Sequence, residues 1–323
     1  MPTSLEELRW LKKKFREFNM KKRTSYLLSI ITMIFWGTAF PFSKYIIDKS
    51  INPVVFLALR MSFALLFCIG YILFTKQARK WFLMFKRNFW HLLIIGIMLY
   101  ASSYIIQYFG VSYTTAINQT IISNTTTFFV VVLNFVLYRH KPTKIFVFSM
   151  IIGFLGVLLI MLNDNLQISS ETIVGDLLTL LAFFFWSLYI VFNRKISIKE
   201  SPQFVTLSVF IWVCFLLVPL SFGFGMVEEI KLLNFLDWSV IAYLGLICSG
   251  AATLFYTIAL SNEDIPSENL ALIGFLIPVV GIFTSILLLE GENLNWRIVV
   301  GCILVLISVF IIESKNSRNS DKN

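Results

Sequence analysis

Ten hydrophobic stretches fill nearly the whole chain between Ser25 and Ile312, and each is about as long as a membrane span. A helix of about 20 apolar residues crosses the roughly 30 Å hydrocarbon core of a bilayer. Hydrophobic residues make up 58% of the chain and charged residues only 14%. The sequence therefore predicts an all-α membrane protein with the lipid bilayer as its solvent and no sizeable soluble domain.

We expect the ten transmembrane helices at Ser25–Tyr45, Pro53–Thr75, Phe89–Phe109, Thr115–Tyr138, Ile145–Leu162, Val174–Phe192, Phe204–Phe224, Phe235–Leu260, Ser267–Leu289 and Trp296–Ile312. Several connections between them are very short, such as residues 110–114 and 139–144. Such short links require neighbouring helices to run antiparallel. The chain is therefore expected to cross the membrane alternately in the two directions.

Lysine and arginine are distributed unevenly among the connections. If the N-terminus is cytoplasmic, the inside segments hold 22 of these residues and the outside segments hold 4. This bias predicts that both termini are cytoplasmic and that the protein lies in a cell (inner or plasma) membrane. The net charge of +9 then faces anionic lipid, and we expect no nucleic acid as a partner.

The two ends of the chain are polar. Residues 1–24 are basic, and Ser4 with Glu7 forms a possible capping box. Two interpretations remain open for this cytoplasmic segment, a helix on the membrane surface or a disordered tail. Residues 313–323 are expected to be a disordered, cytoplasmic polar tail.

The reactive side chains argue against catalysis and metal binding. The four cysteines lie within apolar stretches without paired spacing, and the two histidines lie at span edges. We therefore expect no disulfide framework, no metal site and no cofactor. A nucleophile, a base and an orienting group cannot be assembled from the sequence, so we do not expect an enzyme.

The chain also resembles itself. Residues 27–36 parallel residues 177–186 at an offset of 150, and residues 113–140 parallel residues 265–292. Each half holds five predicted spans, so the second copy enters the membrane from the opposite side. We predict two inverted repeats, residues 25–164 and 172–312, a design that exposes a central site alternately to the two sides.

Several short motifs resemble those of the drug/metabolite transporter superfamily, EamA type. They are Trp36–Phe40 with Lys44, then Pro53, Leu59, Arg60 and Ala64, then Gly175–Leu178 with Trp186, and finally Pro278, Glu292 and Gly301. The resemblance implies two five-helix EamA-like repeats and export or exchange of small metabolites, often amino acids or drugs. The two repeats differ at two of these positions. Thr126 in the first repeat corresponds to Pro278 in the second, and His140 corresponds to Glu292.

Polar residues inside spans usually face the bundle interior or a water-filled cavity. In the fourth span Thr120, Asn124, Thr127 and Asn134 fall on one helical face. Other spans contribute further candidate substrate-binding residues, which are Trp36, Tyr100, Tyr104, Gln107, Trp186, Tyr189, Thr253 and Tyr256. Such a lining suits a zwitterionic, partly apolar or delocalised cationic solute. For each residue singly, helix packing or an interfacial belt is the competing interpretation.

Charged residues near the spans leave alternatives open. Arg60, inside the second span, could pair with a carboxylate or with carbonyls, or could extend to the surface. Glu263, Asp264 and Glu268 form an acidic rim that either attracts cations or solvates its turn. The middle of the candidate spans holds no Asp or Glu, so we expect facilitated diffusion or exchange rather than coupling through a buried acid.

The sequence thus predicts a secondary transporter for a small organic metabolite, an amino acid or similar, working by alternating access as an exporter or exchanger. One alternative is a multidrug or organic-cation exporter. An alternative of another class is a membrane receptor or scaffold that transports nothing. Whether the protein is a monomer or a dimer stays open.

Overall fold

The computed structural model describes residues 22–47, 49–111, 113–114, 119, 122–161, 173–288 and 296–320. Regular structure in these ranges is helical, without strands. The helices are α1 Lys22–Ile47, α2 Pro53–Phe74, α3 Ala78–Arg87, α4 Phe89–Gly110, α5 Thr126–Tyr138, α6 Lys144–Met161, α7 Ile173–Ser197, α8 Pro202–Gly223, α9 Met226–Leu232, α10 Phe235–Leu260, α11 Ser267–Leu288 (with a 3₁₀ turn at Ile273–Phe275) and α12 Trp296–Ser320.

Eight of these helices are long and apolar enough to cross a membrane. The shorter apolar helices Thr126–Tyr138 and Lys144–Ile160 lie at the predicted fourth and fifth spans. Since α5 has 13 residues, it rises only about 20 Å. Most of the residues predicted to begin the fourth span lie outside the described part of the chain. The protein is therefore an all-helical, multi-pass membrane protein.

Two features of the helices differ from the sequence expectation. The helices α3 and α9 occupy polar connections for which no helix was predicted. At the C-terminus, α12 continues to Ser320, where a disordered tail was expected after Ile312. The proposed surface helix of the basic N-terminal segment lies in residues 1–21, outside the described residues.

The main packing pairs join helices from the first half of the chain to helices from the second half. These pairs are α1 with α10 and α11, α2 with α8 and α10, α4 and α5 with α7, and α6 with α12. Glycines allow the closest approaches, as is common between membrane helices. A Cβ at Gly156 in α6 would lie 2.7 Å from the carbonyl oxygen of Gly301 in α12.

Two π-helical segments interrupt the α-helical ladder. Ile94–Ala101 lies in α4 and Leu244–Ala251 lies in α10, and each has 8 residues. Their starting residues are 150 positions apart, the same offset that relates the two halves of the sequence. π-Helical segments are rare and occur frequently at functional sites. Both segments contribute to the site described next.

Candidate binding site

Six aromatic side chains from four helices form one continuous group between the two halves of the chain. Its members, called the aromatic cluster here, are Trp36, Tyr100, Tyr104, Trp186, Tyr189 and Tyr256. Trp186 connects the group, with ring centroids 5.5 Å from Trp36, 5.9 Å from Tyr104 and 4.9 Å from Tyr189. All six were predicted as site residues, and the fold brings them together.

The rings differ in accessibility. Trp36, Tyr104 and Trp186 are partly exposed, whereas Tyr100, Tyr189 and Tyr256 are buried behind them. Aromatic faces that remain accessible in this position can stack on a planar or apolar solute. Gln107 follows Tyr104 along α4 and is also partly exposed.

The π-helical segment of α10 positions Trp36. Its indole nitrogen donates a hydrogen bond to the carbonyl oxygen of Cys248, at 3.0 Å. A backbone carbonyl of the π-helical segment thus orients a ring that is predicted to contact substrate. Tyr100, by contrast, belongs to the π-helical segment of α4.

Two buried hydroxyl groups beside the cluster have no hydrogen-bond partner among the described residues. They belong to Tyr100, which is 0% exposed, and Thr253, which is 1% exposed. The two side chains lie close enough to interact with each other, but neither hydroxyl forms a hydrogen bond of ordinary geometry with the described residues. Such groups in a binding site are available to a ligand or a water molecule.

Tyr189 is held differently from Tyr100. Asn193 in α7 donates hydrogen bonds to the Tyr189 hydroxyl at 3.2 Å and to Thr257 Oγ1 at 3.1 Å. Ser197 in turn donates to the side-chain oxygen of Asn193, at 3.2 Å. This network fixes one side of the aromatic cluster and joins α7 to α10.

Arg60 lies beside the cluster and was not among the predicted site residues. Only 4% of the residue is exposed, and its Nε donates to Ser249 Oγ in α10 at 2.8 Å. Its Nη1 lies 3.4 Å from the Tyr108 hydroxyl, and its Cζ lies 5.8 Å from the Tyr104 ring centroid. A single positive charge inside an apolar run is the sequence signal that could have identified Arg60 as a site residue. The sequence alone does not show whether the Arg60 side chain is buried or extends to the membrane surface.

The predicted polar face of the fourth span lies against α11. Thr127 donates to the carbonyl oxygen of Ala271 at 3.1 Å, and Asn134 donates to Ser267 Oγ at 2.9 Å. Asn124 is buried and has a partner. Thr120 lies outside the described residues. The hydrogen bonds of this face therefore join two helices. This agrees with the helix-packing interpretation of these residues rather than with substrate contact.

Glu268, expected in a solvated acidic rim, is 2% exposed at the start of α11. Its Oε1 lies 2.9 Å from His140 Nε2, and its Oε2 accepts a hydrogen bond from Asn134 at 2.5 Å. A carboxylate is buried here because the His140 imidazole and the Asn134 amide of the first half satisfy it. This corrects the expectation for Glu268, while Glu263 and Asp264 are exposed as expected.

A second ion pair joins the halves at the opposite end of α10. Lys49, between α1 and α2, lies 2.5 Å from Asp237, which is 1% exposed. The hydrogen bond to Asp237 raises the pKa of the Lys49 amino group.

Among the described residues, no group of three or more metal-ligating side chains occurs.

Membrane-length helices from both halves of the chain contribute to the aromatic cluster. The family model for the EamA-like transporter family matches residues 23–162 and again residues 173–314. The chain therefore belongs to the EamA-like transporter family, as its motifs suggested.

Similar proteins agree with this assignment. An uncharacterized transporter of Archaeoglobus fulgidus is 26% identical over 91% of this chain and 99% of its own length. The uncharacterized transporter YyaM of Bacillus subtilis is 22% identical over 90% of this chain and 93% of its own. A solved crystal structure with 15% identity superposes with a TM-score of 0.74 and covers 92% of this chain and 98% of that one, which supports the fold alone.

Proposed function

We propose that the protein is a secondary transporter that moves a small organic metabolite, an amino acid or similar, across the plasma membrane. It works by alternating access, as an exporter or exchanger. The observation that carries this proposal is the aromatic cluster, which joins helices of both halves and borders two buried hydroxyls without partners. A cluster of this kind offers stacking surfaces and hydrogen bonds to a solute of modest size.

The packing pattern supports two inverted five-helix repeats. The first helix of the first half, α1, packs on α10 and α11, while the first helix of the second half, α7, packs on α4 and α5. By position in the sequence, α10 and α11 correspond to α4 and α5. The same pairing therefore occurs twice with the halves exchanged, as expected for a pseudo-two-fold axis in the membrane plane.

Alternating access also needs contacts that can open at each end. Lys49 with Asp237 and His140 with Glu268 join the two halves at different ends of the helices. Lys49 and His140 are partly exposed, so a movement between the halves would bring water to both contacts. The excess of basic residues on one side supports cytoplasmic termini.

The test is flux in proteoliposomes loaded with radiolabelled amino acids, nucleosides or cationic dyes. We expect saturable flux for one solute class and a loss of at least about tenfold in Trp186→Ala, because losing about 1.4 kcal/mol of binding free energy is tenfold. The matched control is Trp90→Ala, since Trp90 is 71% exposed at the start of α4. It should transport like the wild type.

A protein that gives no saturable flux with any of these solutes would be a receptor or scaffold instead. Equal loss of flux in both tryptophan variants would remove the aromatic cluster from the mechanism. Flux that depends strictly on an imposed pH gradient would contradict facilitated diffusion or exchange.

A further inference from the structure

Arg60 is a buried cation whose described contacts are with neutral groups. Its Nε and Nη1 donate to hydroxyl groups of Ser249 and Tyr108, and the third contact is the ring of Tyr104. None of the ion pairs among the described residues includes Arg60. Charged groups within membrane spans are costly, face the bundle interior and mark substrate or ion pathways.

The guanidinium group has unused capacity. It carries five N–H donors in a planar fork that matches a carboxylate. The hydrogen bonds formed with the described residues use Nε and Nη1, and Nη2 forms none with them. An anionic group could therefore approach Nη2 and Nη1 without displacing Ser249 from Nε.

The charge belongs to the same site as the aromatic cluster because Tyr104 contacts both. Its ring centroid is 5.8 Å from Arg60 Cζ, 5.0 Å from the Tyr100 ring and 5.9 Å from the Trp186 ring. The unpartnered hydroxyl of Tyr100 is buried next to this ring. Arg60 and Trp186 therefore both lie within 6 Å of the Tyr104 ring, and a solute that contacts this ring lies near both.

The π-helical segment of α10 brings Ser249 close to Arg60. The two helices are closest at Gly245, where a Cβ would lie only 2.6 Å from the carbonyl oxygen of Arg60. The absence of a side chain at Gly245 lets α10 approach α2 closely, and Ser249 lies one helical turn further on. Arg60 is thus held in position without a neutralising acid.

We propose that Arg60 binds the carboxylate of the transported solute while an apolar or planar body of that solute lies on Tyr104 and Trp186. The substrate class is then a small organic acid or zwitterion rather than an organic cation. This inference rests on the proposed transport function, because it assigns the substrate of the same site.

Equilibrium binding tests the inference separately from transport. Three probes share a phenyl body and differ at the head, namely 3-phenylpropionate, 3-phenylpropionamide and 2-phenylethylamine. Binding to the purified protein is followed by quenching of tryptophan fluorescence. We expect the carboxylate to bind at least about tenfold more tightly than the amide or the amine, since hydrogen bonds to charged groups are the stronger ones.

Variants test whether Arg60 causes the preference for the carboxylate. Arg60→Gln should bind 3-phenylpropionate at least about tenfold more weakly and should lose the preference over the amide. Arg79→Gln is the matched control, because Arg79 is an exposed arginine on α3. If Arg60→Gln does not fold, Arg60→Lys keeps the charge and should retain a preference for the carboxylate.

Several results would overturn the inference. They are equal binding of acid and amide, preference for the amine, failure of 3-phenylpropionate to bind, or unchanged binding in Arg60→Gln. Inorganic phosphate lacks the apolar body, so phosphate binding as tight as that of 3-phenylpropionate would also overturn it. Saturable flux of cations alone would overturn the substrate class and leave the transporter proposal standing, whereas carboxylate binding without any flux would overturn only transport.

Discussion

Arg60 and Glu268 are both charged, both nearly inaccessible and both at contacts between the two halves, yet their surroundings differ. Glu268 is 2% exposed and meets His140 and Asn134 of the first half. Arg60 is 4% exposed and meets hydroxyl groups and an aromatic ring. Side chains of the opposite half satisfy Glu268, whereas Arg60 has no acidic partner among the described residues.

The difference separates a structural charge from a functional one. A buried ion is tolerated when its desolvation cost is offset by a partner and by hydrogen bonds. Glu268 meets this condition, so it connects α11 to the end of α5. Arg60 does not, and a solute carboxylate would complete its environment. Three predictions test this comparison, from the largest expected effect to the smallest.

The largest effect on stability is expected from Glu268→Ala, which leaves His140 and Asn134 without their acceptor. Breaking a fully buried pair costs about 3–5 kcal/mol. Since His140 is 48% exposed, we expect on the order of 2 kcal/mol, seen as a lower midpoint of thermal unfolding in detergent. Glu263→Ala, at an exposed position in the preceding turn, should unfold like the wild type. An unchanged midpoint in Glu268→Ala would mean that the pair is not structural.

Arg60→Met should leave stability intact and abolish transport, in contrast to Glu268→Ala, which should lower stability. Replacing a buried charge by an apolar side chain of similar length is often neutral or stabilising. We therefore expect a thermal midpoint equal to or above that of the wild type, together with loss of saturable flux. Unfolding of Arg60→Met in the same detergent would show that Arg60 is a structural charge like Glu268, and the comparison would fail.

The smallest effect distinguishes two tyrosines of the aromatic cluster. The Tyr189 hydroxyl accepts a hydrogen bond from Asn193, whereas the Tyr100 hydroxyl has no partner among the described residues. Tyr189→Phe should therefore lower the free energy of unfolding by about 1 kcal/mol. Tyr100→Phe should leave stability unchanged or slightly higher but weaken solute binding. Chemical denaturation with matched binding assays would show whether the two substitutions differ in this direction.

Part of the site follows from sequence. The six aromatic residues lie within strongly apolar runs, where a bulky ring has few uses other than packing or binding, and they form one cluster. The fourth-span residues were harder to interpret, because Thr127 hydrogen-bonds the α11 backbone instead of facing an open space. A polar stripe indicates that a helix face avoids lipid, but not whether it faces a cavity or another helix.

The sequence by itself determined the membrane as solvent, the helical class and the approximate positions of the eight helices that are long enough to cross it. These properties are local, since a long apolar run must satisfy its own backbone hydrogen bonds in lipid. The tertiary structure alone decided which charges are paired, because pairing depends on residues far apart in the chain. Glu268 meets residues of the opposite half, and Arg60 meets Ser249 at a separation of 189 positions. That difference in partners, invisible in the sequence, is what marks Arg60 as the substrate-facing charge in our proposal.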